Sequence, residues 1–282
     1  MAIVINPISP VAFSVFGIDI RWYALAYIAA FVIGFWVLAR LSRAPNSDTD
    51  MTRKQYDDFM TAIILSVVIG GRLGYVLFYN LPFFIAHPLE IFAIWHGGMS
   101  FHGGLIGVIV ANFLFARHIC ISGWKLLDLL AVVAPIGLFF GRIANFINIE
   151  VMGRPTDSAL GVVFTGDIDI PRHPSPLYEA FGEGIVLFII MLLLYKKTKL
   201  KKHPGALSGM FGMLYAVIRA VCECFRAPDA QIGFITSWGL TMGQLLSMIM
   251  FAAAAAIFAY SIRKTDKESQ GFCACLHKNS QK

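Results

Sequence analysis

Residues 126–147 have the sequence L-L-D-L-L-A-V-V-A-P-I-G-L-F-F-G-R-I-A-N-F-I, which is apolar along almost its whole length. A helix over this stretch would be about 30 Å long, the thickness of the hydrocarbon core of a bilayer. The 282-residue chain has the same character throughout, with 57% apolar residues, 14% charged residues and a mean hydropathy of +0.70. Soluble domains carry about 25% charged residues. The sequence therefore predicts an all-α membrane protein. The net charge of +6 does not indicate a nucleic-acid partner, because the basic residues lie between the apolar runs.

Seven stretches are long and apolar enough to span a bilayer, and each must be helical because backbone polar groups in lipid need partners within the segment. We predict transmembrane helices at 17–40, 59–79, 97–116, 126–147, 178–195, 205–225 and 238–260. The stretch 82–95 is short and broken by two prolines, which predicts an interfacial arm at about 80–96. The loop at about 148–176 is long enough for a small cap. Together these parts form one transmembrane domain, 1–262, followed by a polar tail, 263–282.

Lysine and arginine set the predicted orientation. They are concentrated after the first, third and fifth spans and in the tail, most densely in the lysine-rich loop 196–202. The opposite loops hold four arginines: Arg21, Arg154, Arg172 and Arg226. The positive-inside rule places the lysine-rich side in the cytoplasm. We therefore predict an N-terminus outside and a C-terminus inside, as an odd number of spans requires, with the cap on the outer side.

Polar side chains within the predicted spans gather in the outer half of the bilayer. Arg72, Arg142 and Arg219 lie on three different spans, each about 8–11 Å inside an outer end at ~1.5 Å per residue. The other members of this predicted cluster are Tyr23, His102, Asn145, Asn148, Glu150 and Glu223. A charge at this depth costs several kcal/mol unless it is paired or wetted. Such a cluster therefore indicates function.

Two structural interpretations compete with a functional one. Long arginine side chains can snorkel to the headgroup level, and Arg219 and Glu223, spaced i,i+4 on one helical face, can form a structural ion pair. The functional interpretation is an anion site, because the planar guanidinium binds phosphate through two parallel hydrogen bonds. At this depth the available phosphate belongs to a phospholipid. The sequence therefore predicts a lipid headgroup site that opens sideways to the membrane.

His102 lies between glycine pairs in W-H-G-G-M-S-F-H-G-G, residues 95–104. The glycines allow helices and loops to approach closely. A lone histidine is more often a packing residue, but His102 lies at the depth of the arginines, and a neutral imidazole accepts a proton from a thiol or a hydroxyl. We therefore consider His102 the candidate base and His96 a structural residue.

The run G-R-I-A-N-F-I-N-I-E-V-M-G, residues 141–153, resembles the signature of the prolipoprotein diacylglyceryl transferases, G-R-x-[GA]-N-F-x-N-x-E-x-x-G, at every fixed position. Further blocks resemble the family in the same order: R-W-Y at 21–23, G-G-R-L-G-Y at 70–75, G-G-M-S-F-H-G-G at 97–104, H-P-S-P-L-Y-E-A at 173–180 and R-x-x-x-E-x-x-R-x-P-D at 219–229. Only the tail, with Cys273 and Cys275, shows no resemblance.

The resemblance implies a multi-pass enzyme of the bacterial inner membrane with its active site in the periplasmic leaflet. Such an enzyme transfers the diacylglyceryl group of phosphatidylglycerol to the thiol of the lipobox cysteine in a prolipoprotein signal peptide. A thioether forms and glycerol 1-phosphate leaves. No metal and no organic cofactor is implied. The N-terminus and the cap would then be periplasmic and the tail cytoplasmic.

The resemblance also suggests roles for the residues found above. Candidate catalytic residues are Tyr23, His102, Arg142 and Arg219, and candidate substrate-binding residues are Arg142, Asn145, Asn148, Glu150, Gly153, Arg72, Glu223 and Arg226. Arginines would bind the phosphate and stabilise the leaving group, the asparagines would orient the headgroup, and the glutamates would hold arginines or line the site. Whether His102 takes the thiol proton stays open, because a field of arginines alone also favours the thiolate.

Other classes of membrane protein fit the sequence less well. A transporter or channel, the main alternative, favours charges near the midplane and broken helices in paired halves. A retinal-type photoreceptor needs a lysine in its last span, and 238–260 contains none. An intramembrane protease needs a serine–histidine pair or two intramembrane aspartates, for which Ser100 near His102 is weak support.

Overall fold

The computed structural model describes residues 2–42, 51–166, 168–227, 235–236 and 239–264, and within them the chain is mainly helical. The helices are α1 (Trp22–Ser42), α2 (Arg53–Phe78), α3 (Leu81–Ala86), α4 (Phe101–His118), α5 (Gly123–Ile147), α6 (Ser175–Glu179), α7 (Leu187–Lys197), α8 (Ala206–Glu223) and α9 (Met242–Arg263). A π-helical segment, Ala180–Val186, joins α6 to α7, and 3-10 turns cover Pro88–Phe92, Ile94–His96 and Leu200–Lys202. The strands are β1 (Ile3–Ile5), β2 (Val11–Val15), β3 (Ile18–Arg21), β4 (Val162–Phe164) and β5 (Ile168–Arg172).

Six helical segments in the described part of the chain are long and apolar enough to cross a membrane. They are α1, α2, α5, the combined segment Ser175–Lys197, α8 and α9. The predicted helical membrane class is therefore confirmed. Helix α4 covers most of the predicted span 97–116 but is not among the six, so the count of seven spans stays a prediction. The orientation of the termini and the periplasmic cap also stay predictions.

The chain divides into two compact units. The first unit contains the described residues of 1–38 and 130–264, and the second contains those of 39–129. Helices α1 and α5 contribute residues to both units. The predicted tail, 263–282, lies outside the described residues beyond Lys264, and so do Cys273 and Cys275.

The first predicted helix starts five residues too early, because the sequence just before it forms a β-hairpin. Strands β2 and β3 pair antiparallel, and Phe16 and Gly17 adopt φ angles of 49° and 80° in the turn between them. Positive φ angles match the twist of a two-residue hairpin turn, and Gly17 adopts one without steric cost. Apolar composition alone does not distinguish this hairpin from the start of a helix. Helix α1 therefore begins at Trp22.

The loop predicted as a cap contains a small sheet. Strands β4 and β5 pair antiparallel, and β1 adds in parallel with Ile3 opposite Val162. Phe164 of β4 is buried and packs against Phe146 of α5, with ring centroids 5.6 Å apart. This contact fixes the sheet to the last turns of α5. The all-α prediction missed it because strands of three to five residues are too short to give a periodic signal.

In the second unit, α2 and α4 pack through glycines spaced four residues apart on both helices. A Cβ atom at Gly74 of α2 would lie 2.6 Å from the Cα of Gly103, and one at Gly70 would lie 3.0 Å from the Cα of Gly107. Distances below about 3 Å leave no room for a side chain. The helix backbones are therefore in direct contact, which is the packing that small residues at this spacing allow in membranes.

Candidate functional site

Helix α5 carries Arg142 and Asn145 close to its end. They are three residues apart, so they project from the same side of the helix, about one turn from each other. Both belong to the first unit, together with the predicted residues of α1, of α8 and of the segment after α5. Two groups of contacts form around these two residues.

Arg142 contacts two glutamates that lie about forty residues later in the chain. Its Nε atom lies 2.9 Å from Oε2 of Glu179, and its Nη2 atom donates to Oε2 of Glu183 at 3.1 Å. Both carboxylates are almost completely buried, with 1% and 0% of their side-chain surface exposed. The Arg142 side chain is 19% exposed. Arg142 is therefore a partly accessible cation held from behind by buried carboxylates.

Arg219 of α8 joins the same carboxylates from the other side. Its Nη1 atom donates to Oε1 of Glu179 at 2.5 Å, and its Nη2 atom donates to Oε2 of Glu223 at 2.7 Å. The ion pair between Arg219 and Glu223 that their spacing predicts is thus confirmed. Arg226, just after α8, also lies close, with Nη1 3.5 Å from Oε1 of Glu179. We call Arg142, Arg219, Arg226, Glu179, Glu183 and Glu223 the arginine–glutamate cluster.

The π-helical segment explains how Glu179 and Glu183 reach the arginines. Two glycines in this segment let it lie against neighbouring helices: a Cβ atom at Gly184 would lie 2.6 Å from the Cβ of Phe139 on α5, and one at Gly182 would lie 2.7 Å from the Cγ2 of Ile218 on α8. Each arginine lies one turn or less beyond those contact points. Segments of π-helix often occur at functional sites. Here the wide turn and the glycines place both carboxylates between α5 and α8.

Glu223 is held at the start of α9. Thr241, the N-terminal cap of α9, donates its hydroxyl to Oε1 of Glu223 at 3.2 Å. A side chain at Gly243 would collide with this carboxylate, since its Cβ would lie 2.6 Å from the carboxyl carbon. The positive end of the α9 dipole stabilises a carboxylate at this position. The cluster therefore links α5, the π-helical segment, α8 and α9.

A second group of contacts surrounds Asn145. Its Nδ2 atom donates to the hydroxyl of Tyr23 on α1 at 2.6 Å and to Oε2 of Glu150 at 2.9 Å. Asn148 also approaches Glu150, with Nδ2 3.4 Å from Oε1. Glu150 is exposed and accepts from these asparagine amides, and its predicted role in lining the site stays a prediction. We call Tyr23, Asn145, Asn148 and Glu150 the asparagine group.

The backbone around Glu150 is strained. Ile149 and Val151 have φ angles of 57° and 60°, in the left-handed region that β-branched residues rarely adopt. Such a conformation costs about 1–2 kcal/mol per residue. Strain of this kind is concentrated at functional sites, and here it brackets a predicted site residue.

Gly153 allows the chain after Glu150 to pass between two other segments. Its amide donates to the carbonyl of His173 at 2.9 Å, and a Cβ atom would lie 2.5 Å from the carbonyl oxygen of Phe225. The next residue, Arg154, donates its amide to the same Phe225 carbonyl and its Nε to the carbonyl of Arg226. This close approach at Gly153 fixes the segment next to Arg226.

Arg72 belongs to the second unit and is fully occupied there. Its Nε donates to the carbonyl of Ile91, its Nη1 to those of Gly97 and Gly98, and its Nη2 to those of Glu90 and Ala93, at 2.5 to 3.1 Å. A guanidinium has five N–H donors, so all of them are used. The guanidinium also lies 5.1 Å from the centroid of the Phe84 ring. Arg72 was expected to bind the lipid headgroup, but in this arrangement none of its N–H donors is left for a headgroup. Its geometry is that of a residue that holds the segment 80–98.

His102 also belongs to the second unit, in the first turn of α4. Its side chain is exposed, and its ring meets that of Phe101 edge-on at 5.7 Å. Gly103, which follows it, forms the closest part of the contact between α2 and α4. The candidate base is therefore accessible and lies on a firmly packed helix end. Its role in proton transfer stays a prediction.

Sequence reasoning missed Glu179 and Glu183. Both lie at the start of the predicted fifth span, four residues apart, in the stretch Y-E-A-F-G-E-G. An acidic residue inside an apolar span is a functional-site signal with a partner to be found, and the intramembrane arginines were the obvious partners. Both glutamates therefore carried a signal in the sequence that pointed to these arginines.

This chain is similar to proteins of one named family. A family model described as prolipoprotein diacylglyceryl transferase matches residues 10–260. A protein of Azospirillum brasilense is 48% identical over 266 residues, which covers 94% of this chain and 98% of that protein. Relatives from Rhodospirillum rubrum and Nitrobacter hamburgensis are 49% and 50% identical and cover 91% and 88% of this chain, or 93% and 86% of their own length. Each of the three is named phosphatidylglycerol–prolipoprotein diacylglyceryl transferase.

Proposed function

Because the chain belongs to the prolipoprotein diacylglyceryl transferase family, we propose that it transfers the diacylglyceryl group of phosphatidylglycerol to the lipobox cysteine of prolipoproteins. The sulfur attacks the glycerol carbon that carries the phosphate, and the carbon–oxygen bond breaks. A thioether forms, glycerol 1-phosphate leaves, and the thiol proton is released. This is the first step of bacterial lipoprotein maturation.

The family match over residues 10–260 is the observation that carries this proposal, because the matched region includes every predicted site residue. The structure supplies a chemical reason. Phosphate departure needs cations, and Arg142 and Arg219 lie in one partly exposed cluster although they come from separate spans. Within the described residues, the Nη1 atom of Arg142 and the Nε atom of Arg219 donate no hydrogen bond to the protein, so both arginines would retain a donor for a phosphate oxygen.

The asparagine group would bind the rest of the lipid headgroup. Asn145 is one turn from Arg142 on the same side of α5, and it orients the hydroxyl of Tyr23. A headgroup phosphate on Arg142 would therefore have hydroxyl and amide groups within reach of its glycerol. His102 would accept the thiol proton, because its imidazole is exposed.

We further propose that α4 is the third of seven spans. It has eighteen residues, and the stretch from Leu105 to Ala116 is apolar apart from Asn112, which is buried and donates to the carbonyl of Gly123. Its close packing against α2, a candidate span, supports the same assignment. Seven spans place the N-terminus and the small sheet in the periplasm and the lysine-rich loop 196–202 in the cytoplasm.

The arm at about 80–96 would lie in the membrane interface on the periplasmic side. Its side chains divide by exposure: Phe84 and Ala93 are buried, whereas Leu89, Phe92 and Trp95 are 75–82% exposed. An apolar exposed face on short helical turns is typical of a segment that lies in the headgroup region.

The deciding experiment is incubation of the purified protein with phosphatidylglycerol and a peptide that contains a lipobox cysteine. Mass spectrometry should detect the peptide with an added diacylglyceryl group, and a peptide with serine in place of the cysteine should stay unmodified. Absence of the adduct with active controls would refute the proposed function and would favour a transporter or another membrane class.

Two variants test the roles of single residues, each with a control on the same protein. Arg142→Ala should abolish the adduct, whereas Arg117→Ala at the exposed end of α4 should not. His102→Ala should also abolish the adduct, whereas its control His118→Ala, also exposed on α4, should not. Full activity of Arg142→Ala would remove the phosphate role, and full activity of His102→Ala would remove the base role.

A further inference from the structure

The arginine–glutamate cluster contains as many carboxylates as guanidiniums. Glu179, Glu183 and Glu223 face Arg142, Arg219 and Arg226 at distances of 2.5 to 3.7 Å. The carboxylates are buried, and the arginines are 14–19% exposed. The cluster is thus formally neutral, and it presents its cations outward with its anions behind them.

Glu179 has the central position in this arrangement. Its Oε1 atom lies 2.5 Å from Arg219 and 3.5 Å from Arg226, and its Oε2 atom lies 2.9 Å from Arg142. One carboxylate therefore touches all three guanidiniums, which come from α5, α8 and the segment after α8. Any change in its position changes the spacing between the arginines.

Glu183 supports the same arginines from a fully buried position. Its Oε2 atom accepts two N–H groups of Arg142, and its Oε1 atom lies 3.7 Å from Arg219 without a hydrogen bond among the described residues. A buried carboxylate oxygen without a hydrogen bond is unfavourable for folding. Hydrogen bonding alone therefore does not account for the second negative charge.

Charge balance has a direct consequence for an anionic substrate. Three unpaired arginines would bind the phosphate of the intact lipid and of the released phosphate ester strongly, and uniform binding does not accelerate the chemical step. Carboxylates behind the arginines lower that ground-state affinity. They also fix the orientation of the remaining N–H donors before charge develops on the leaving group.

We propose that Glu179 and Glu183 are positioning residues of the transferase site: they neutralise the three arginines and hold them in the orientation that stabilises the departing phosphate. This inference rests on the proposed function. It assigns the two glutamates no contact with the lipid, and their effect acts through Arg142 and Arg219.

The test uses Glu179→Gln and Glu183→Gln, which keep the shape of the side chain and remove its charge. Each variant leaves an excess positive charge in the cluster. The expected result is a fall in kcat on the order of 100-fold, the effect of misaligned catalytic groups. The apparent KM for phosphatidylglycerol should fall or stay the same, and inhibition by added glycerol 1-phosphate should become stronger. Asp157→Asn, an exposed carboxylate in the same unit, should behave as wild type.

Conservative variants separate positioning from simple folding. Glu179→Asp keeps the charge and shortens the side chain, so its KM should equal that of wild type and its kcat should lie between wild type and Glu179→Gln. Rates are normalised to monodisperse protein from size-exclusion chromatography, which removes any effect of misfolded enzyme. If a glutamine variant does not purify, the aspartate variant at that position tests the positioning role: a lower kcat at wild-type KM is expected, and a wild-type kcat would overturn that role.

The outcomes distinguish this inference from the proposed function. A rise in KM with unchanged kcat, or wild-type kinetics in both glutamine variants, would overturn the positioning role while the transferase function stands. If wild-type protein forms no thioether, the proposed function fails. Native mass spectrometry then tests the charge balance alone: the glutamine variants should retain more phosphatidylglycerol, relative to phosphatidylcholine, than wild type does, and equal retention would overturn it.

Discussion

Replacement of Arg72 by lysine should loosen the segment 80–98 from the rest of the second unit. Lysine keeps the positive charge but has three N–H donors on one atom, whereas Arg72 donates to five carbonyls through three nitrogen atoms. At least two of the five hydrogen bonds are therefore lost. A hydrogen bond from a charged group contributes about 1.5–3 kcal/mol, so the local opening free energy should fall by at least about 2 kcal/mol.

Hydrogen exchange measured by mass spectrometry reports this opening directly. The amides of Ala93 and Gly97 are bonded within the 3-10 turns that Arg72 holds. A loss of about 2 kcal/mol should accelerate their exchange about 30-fold. Peptides from α5 and α8 should exchange as in wild type, because the change is confined to one segment.

The matched control is Arg117→Lys, since this arginine is exposed on the last turn of α4 in the same unit. Unchanged exchange at Ala93 and Gly97 in Arg72→Lys would show that the five contacts do not hold the segment. Arg72 would then be free for the headgroup role that the sequence suggested.

Three further predictions concern other parts of the chain. Gly103→Val should lower the free energy of unfolding in detergent by about 1–3 kcal/mol because it separates two helices in contact, whereas Gly137→Val, next to open space, should not. Tyr23→Phe removes the hydroxyl that accepts from an asparagine amide and should slow thioether formation at least about tenfold, while Tyr27→Phe, one turn later and exposed, should keep the wild-type rate. Val151→Gly relieves a φ angle of 60°, so the free energy of unfolding should stay unchanged or rise by up to about 1 kcal/mol. A decrease of more than about 1 kcal/mol in the free energy of unfolding would contradict the strain argument.

The helices were predictable because a bilayer imposes one requirement on every span. A stretch of about twenty apolar residues has no alternative to a helix in lipid, so α5 and α9 begin and end within a few residues of their predicted bounds. The sheets were not predictable by the same argument. Strand β1 finds its partner β4 about 160 residues away, and no local pattern in three residues indicates such a pairing.

The sequence predicted the arginines of the candidate site but not two of its glutamates. Arg142 and Arg219 are conspicuous because arginine in an apolar span always needs an explanation. Their actual partners, Glu179 and Glu183, come together only through a π-helical turn and two glycine contacts, Gly182 to Ile218 and Gly184 to Phe139. Regular helical spacing does not predict that geometry. Only the pair at i,i+4, Arg219 and Glu223, followed from sequence alone.

The need for these carboxylates follows from where the chemistry takes place. Cations that stabilise a departing phosphate have to be present before the lipid arrives, and at membrane depth an unpaired guanidinium costs several kcal/mol. Full burial in ion pairs would remove that cost but would also use up every donor. The cluster avoids both extremes. Glu179 and Glu183 are buried, whereas 19% of the Arg142 side chain is exposed and its Nη1 atom donates no hydrogen bond to the described residues. An enzyme that acts on a charged headgroup inside a low-dielectric layer therefore requires buried anions as much as it requires cations. The glutamine variants measure this requirement, because their kcat should fall while their KM does not rise.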